Sequence, residues 1–109
     1  MPYGLKEDLL TKITQILSQY PQIDQAILYG SRAKGTYQPG SDIDLTLSGS
    51  EINLRLLNKI SLALDDLLLP YTFDISIRQR ITNVELLAHI ERVGVVIYEL
   101  EEALTEEGA

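Results

Sequence analysis

Gly30-Ser31-Arg32-Ala33-Lys34-Gly35-Thr36-Tyr37-Gln38-Pro39-Gly40-Ser41-Asp42-Ile43-Asp44-Leu45 is the stretch on which the reading of this chain turns. It opens where the apolar run Ala26-Ile27-Leu28-Tyr29 ends and closes inside a second run, Ile43 to Leu47. The first run is too short for a helix and is bounded by Asp24 and Gly30, so it reads as a buried strand. The second alternates Asp42, Asp44 and Thr46 with Ile43, Leu45 and Leu47, the period-two pattern of a strand with one wet and one buried face. Between them, residues 31–36 have room for one helical turn, and Gln38-Pro39-Gly40-Ser41 is a turn. That connection is about the shortest that a parallel crossover tolerates, which favours an antiparallel pair.

Working outward, Leu5, Leu9, Leu10, Ile13, Ile16 and Leu17 recur at helical spacing, predicting an amphipathic helix over about 4–19 that stops at Pro21. On the other side, Ile52, Leu56, Leu57, Ile60, Leu64, Leu67 and Leu68 predict a helix over 50–69, with Ser50 as N-cap and Pro70 as its end. Tyr71 to Ile77 reads as a third strand with Phe73, Ile75 and Ile77 on one face and Asp74 and Ser76 on the other. The helix before it is long enough to be a crossover, so the second and third strands are expected to be parallel. Thr82 and Glu85 have capping-box spacing ahead of a last helix marked by Val84, Leu87, Ile90 and Val93, with Gly94 at its C-terminus. Val95-Val96-Ile97-Tyr98 is a fourth strand. The class is α/β (α+β): a small mixed sheet with helices packed mainly on one face. Residues 1–109 are expected to form one domain, with the acidic end, about 103–109, frayed.

Bulk properties narrow the function. A formal charge of −7 disfavours direct binding of free DNA or RNA, whose phosphates it repels. It leaves open a nucleotide escorted by a cation, or a protein partner with a basic face. No apolar run approaches the roughly 20 residues that span a bilayer, and the N-terminus MPYGLKEDLL lacks the apolar segment of a signal peptide. The expected location is the cytoplasm. The absence of cysteine excludes disulfides and thiolate metal sites.

The chemistry resides in carboxylates and a Gly-Ser turn. Asp42 and Asp44, at i and i+2 of a strand, leave one face roughly 6–7 Å apart. Like charges this close favour a cation between them, and oxygen donors suit Mg²⁺ or Mn²⁺. Asp74, on the corresponding face of the neighbouring strand, is placed to be the third carboxylate: a second-metal ligand or a general base. Gly30 lets backbone approach a phosphate, and Ser31 offers a hydroxyl and an N–H at a helix start. Arg32 is read either as a phosphate ligand or as a brace of the loop. Lys34, Arg78 and Arg80 read as solvated charges, Tyr37 as a base stacker or an exposed loop residue, and His89 as structural or surface.

The spacing Gly30-Ser31, ten residues, Asp42-Ile43-Asp44 resembles the signature of the DNA polymerase β-like nucleotidyltransferase superfamily. More closely, LYGSRAKGTYQPGSDIDL, the short length and the ending GVVIYE are similar to the minimal nucleotidyltransferase (MNT) proteins of bacteria and archaea. The resemblance implies the palm-like fold and Mg²⁺-dependent transfer of a nucleoside monophosphate from an NTP to a hydroxyl. It implies Gly30 and Ser31 at the triphosphate, Asp42 and Asp44 at metal, and Asp74 as third carboxylate. It further implies an antitoxin that transfers AMP from ATP to a tyrosine of a HEPN-domain RNase toxin encoded by an adjacent gene, within a hetero-oligomer or a homodimer. A non-catalytic antitoxin that neutralises its partner by contact is the alternative. A small-molecule nucleotidyltransferase ranks last, since relatives of that kind hold the acceptor with an added domain.

Overall fold

The computed structural model describes residues 2–67 and 71–100. After a 3₁₀ turn at Pro2–Gly4 come α1 (Glu7–Leu17), β1 (Gln25–Tyr29), α2 (Gly30–Lys34), β2 (Ile43–Ser48), α3 (Leu54–Asp65) and β3 (Phe73–Ile77). A second 3₁₀ turn at Arg78–Arg80 leads to α4 (Val84–Val93) and β4 (Val95–Glu99).

The sheet runs β3-β2-β1-β4, with β1 antiparallel to β2 and β4 and β2 parallel to β3. This is the mixed sheet that the connection lengths predict. The 30–42 segment is too short for a full crossover, while α3 supplies one. The register sets Tyr29 opposite Asp44 and Asp44 opposite Asp74, so the three residues form one row across β1, β2 and β3. Directly opposed residues share a face, so Ile27, Thr46 and Ser76 lie on that same side.

The opposite face carries the main core. Ala26, Leu28, Ile43, Leu45, Leu47 and Ile77 of the sheet bury with Leu5 ahead of the N-terminal helix, Leu9, Ile13 and Leu17 within it, and Ile60 and Leu64 from the crossover helix. Burying such a side chain stabilises by about 1.5–3 kcal/mol each, before the entropy of ordering is subtracted. α4 departs from the one-faced arrangement. A Cβ on Gly94 would meet the Ile27 side chain, and the His89 ring meets the Tyr29 ring edge-on, so α4 covers the β1 end of the Asp-bearing face. Ile90 and Tyr29 are buried there, outside the main core cluster.

Helix ends differ from expectation where a closer side chain competes. Asn53, not Ser50, caps α3 by accepting from the Leu56 N–H at 2.9 Å. Asn83, not a Thr82/Glu85 box, caps α4 through the Leu86 N–H at 3.0 Å. In both helices the asparagine stands immediately before the first helical residue, which is where a side-chain oxygen reaches the exposed N–H groups. Gly94 is extended (φ −63°, ψ 143°) rather than left-handed. It is required for a different reason: a side chain there would strike the Ile90 carbonyl. α3 also ends sooner than the expected 50–69 span: its last helical residue is Asp65, with Asp66 as C-cap, while residues 68–70 and the expected frayed end at 103–109 lie outside the described residues.

Candidate active site

Gly30 closes β1 and starts α2 with φ +76°, a conformation that costs an L side chain about 1–2 kcal/mol. A methyl group there would also drive into the Asp44 carboxylate, so only glycine lets the turn lie against that aspartate. Gly30→Ala is therefore expected to lower stability by about 2 kcal/mol or more and to weaken nucleotide binding at least tenfold, readable by thermal denaturation and by titration with Mg²⁺ and AMP-PNP. The next turn ends in a second left-handed glycine, Gly35 (φ 88°), whose N–H donates to the Ser31 carbonyl at 2.9 Å.

Asp42, Asp44 and Asp74 are brought to one side at the junction of β2 and β3. Asp44 is the half-buried member. Desolvation, then the charges of Asp74 and Asp42, push its carboxyl up to about 6. Asp42 and Asp74 are exposed, and an Asp42 oxygen accepts the Thr72 hydroxyl. Among the described residues no group of three or more His, Cys, Asp or Glu side chains is gathered closely enough to hold a metal ion by itself. The donor set suits a hard cation nonetheless: carboxylate oxygens whose mutual repulsion adds to desolvation in raising the Asp44 proton affinity.

Tyr29 reaches from β1 toward the same centre. Burial raises the pKa of its phenol most; a hydrogen bond with the Ser76 side chain opposes this, and the charges of Asp74 and Asp44 add to it. Ser76 Oγ also lies in hydrogen-bond contact with the hydroxyl of fully buried Thr46 at 3.0 Å. This chain of hydroxyls makes a rigid floor beneath the carboxylates.

Arg32 does not face the expected phosphate position. Its side chain is 2% exposed, and its guanidinium donates to the Ser41 carbonyl at 3.1 and 2.9 Å, to the Tyr3 carbonyl at 3.0 Å and to the Pro39 carbonyl at 3.4 Å. It lies 4.8 Å from the Tyr71 ring centre and 5.4 Å from that of Tyr37. The nucleotide-binding reading of Arg32 is corrected to the bracing one, because its donors are turned inward on loop carbonyls. Tyr37 stacks on this guanidinium, and Lys34 and Arg80 are exposed.

Two site contacts escape sequence reasoning. His89 Nε2 accepts the Gly30 N–H at 3.0 Å, and Thr72 holds Asp42. A lone histidine on a helix and a threonine ahead of a strand give no periodic signal of either role.

A mixed sheet that sets a row of carboxylates beside a Gly-Ser turn is the palm of a nucleotidyl-transfer protein. The chain matches the family model "Polymerase beta, Nucleotidyltransferase" over residues 11–103 and belongs to that nucleotidyltransferase family. Its fold is similar to a chain of a toxin–antitoxin structure with AMP-PNP (TM-score 0.70, 20% identity, covering 86% of this chain and 76% of that one). It is also similar to a chain of the tri-AMPylated Shewanella oneidensis HEPN toxin in complex with MNT antitoxin (TM-score 0.67, 16% identity, 91% and 76%). A third is from the toxin–antitoxin MntA-HepT (TM-score 0.65, 16% identity, 90% and 76%). No curated protein matches the chain. No described helix is long and apolar enough to cross a membrane.

Proposed function

We propose that this chain, as one nucleotidyltransferase unit over residues 1–109, is an antitoxin that transfers AMP from ATP to a tyrosine hydroxyl of a HEPN-family RNase toxin. The observation that carries the reading is the register of β2 and β3, which pairs Asp44 with Asp74 beside the left-handed Gly30. Similarity to the AMP-PNP and AMPylated-toxin structures supports it.

Asp42 and Asp44, with Asp74, would hold Mg²⁺ or Mn²⁺, completed by nucleotide and water oxygens. When bound, the cation supplies neutralisation of the triphosphate and a lowered pKa for the acceptor hydroxyl. Gly30 and Ser31 present backbone to the triphosphate, and the hydroxyl floor of Tyr29, Ser76 and Thr46 holds β1, β2 and β3 in register beneath it. Asp74, exposed on the edge strand, would take the proton of an incoming protein hydroxyl. The acceptor oxygen bonds to the α-phosphorus, and pyrophosphate leaves. The chain's charge of −7 suits a partner with a basic face.

The test incubates the chain with Mg²⁺, labelled ATP and the product of the adjacent gene. Label on a partner tyrosine is the expected result, with Asp74→Asn reducing the rate at least a hundredfold. No label with any NTP in Mg²⁺ or Mn²⁺, together with toxin neutralisation surviving Asp42→Ala/Asp44→Ala, would establish neutralisation by contact instead.

A further inference from the structure

We propose that His89, the chain's one histidine, is a positioning residue for the nucleotide: a neutral imidazole that fixes the Gly30-Ser31 turn by accepting the Gly30 N–H. The inference rests on the nucleotidyl-transfer reading and adds a residue 59 positions from the motif it serves.

The turn needs an external anchor. α2 is five residues long, far below the length at which a helix holds itself, and no side chain caps its N-terminus at Tyr29. Its far end is secured by Gly35 and by Arg32, whose guanidinium ties it to the Ser41 and Tyr3 carbonyls. Its near end, where phosphate would lie, is secured by His89 Nε2 at 3.0 Å. Gly30 cannot rely on its own conformational preference, because glycine samples positive and negative φ about equally. Without the bond, the turn is free to leave the Asp44 carboxylate against which it is packed.

The anchor itself is rigid. His89 lies one residue before buried Ile90 on α4, and its ring meets Tyr29 edge-on with centroids 6.2 Å apart. The helix is fixed at one end by the Asn83 cap and at the other by Gly94 against Ile27. Accepting through Nε2 requires that the proton sit on Nδ1, so the ring is the Nδ1–H tautomer. In this state the Gly30 N–H is occupied, which leaves the Ser31 N–H and hydroxyl as the turn's donors for phosphate.

Three measurements test this. With one histidine in the chain, ring ¹⁵N shifts of the nucleotide-free protein at neutral pH report a single imidazole, expected to be unprotonated at Nε2. His89→Phe keeps the edge contact with Tyr29 and removes the acceptor. It is expected to weaken binding of AMP-PNP with Mg²⁺ roughly five- to tenfold, the worth of one hydrogen bond, with kcat changed less than KM. His89→Gln, whose amide oxygen reaches the Nε2 position, should restore binding to within about threefold of wild type. An Nε2–H tautomer, or a folded His89→Phe that binds as wild type does, overturns the proposal alone. Wild-type protein that binds no nucleotide overturns the nucleotidyl-transfer reading, and the positioning role with it.

Discussion

Asp44→Asn is expected to silence nucleotidyl transfer by roughly three orders of magnitude while making the metal-free fold more stable. The two effects share one cause. Asp44 is the least exposed member of the carboxylate trio, and partial desolvation with its acidic neighbours raises its pKa to about 6 from an ordinary 3.8. A carboxyl whose folded pKa is raised contributes stability only while protonated: the contribution is full below about 3.8 and is lost as pH rises through about 6. At pH 7 the wild type carries the whole penalty and the amide carries none. The shift corresponds to an upper limit near 3 kcal/mol, and screening of this partly exposed group brings it to about 1 kcal/mol. Melting in the presence of a chelator should place Asp44→Asn about 4 °C above wild type at pH 7, with the gap closing as pH falls from 7 toward 4. Mg²⁺ should then raise the melting temperature of the wild type more than that of the variant. A variant that melts below wild type in chelator at pH 7 would mean that Asp44 is a structural acceptor rather than a ligand held in readiness.

What the sequence reveals and what it hides divide along a physical line. The Gly30–Leu45 hairpin, the parallel β2/β3 pair and the placement of Asp74 follow from local rules: period-two alternation, the length a crossover needs, and Gly and Pro at turns. The alternation Phe73-Asp74-Ile75-Ser76-Ile77 already sets Asp74 on the polar side. Periodicity says which face is apolar but not whose polar atoms meet. The bonds that shape the site join residues far apart in sequence, Arg32 to Tyr3 and Gly30 to His89, and no spacing rule encodes them. The position of α4 is hidden for the same reason. Its apolar stripe resembles those of α1 and α3, yet it packs on the opposite side of the sheet, where Ile27 and Gly94 make room for it. The caps fall on other residues than spacing predicts because serine, threonine and asparagine all satisfy the preference, and only the start of the helix decides among them.

Arg32→Ala should be the most destabilising substitution near the site, costing about 3 kcal/mol, or roughly 12 °C in melting temperature. The guanidinium serves three carbonyls at once and lies between Tyr71 and Tyr37, so its loss strands Ser41, Tyr3 and Pro39 oxygens and opens a void between two rings. Arg32→Lys should recover less than half of this, since an ammonium lacks the planar fork that reaches separate acceptors. The position of this brace gives it reach into function. Ser41 immediately precedes Asp42, and Tyr71 immediately precedes Thr72, whose hydroxyl donates to Asp42. One buried cation thus steadies Asp42 from both the loop before it and the segment that leads into β3. Loosening it should raise the Mg²⁺ concentration needed for half-maximal activity by several fold, beyond what the lost stability explains at temperatures well below melting. A residue that instead bound phosphate directly would leave melting almost unchanged and raise the KM for ATP. Melting temperature, Mg²⁺ dependence and KM measured on the same variant therefore separate a brace from a ligand, and an unchanged melting temperature would return Arg32 to the nucleotide.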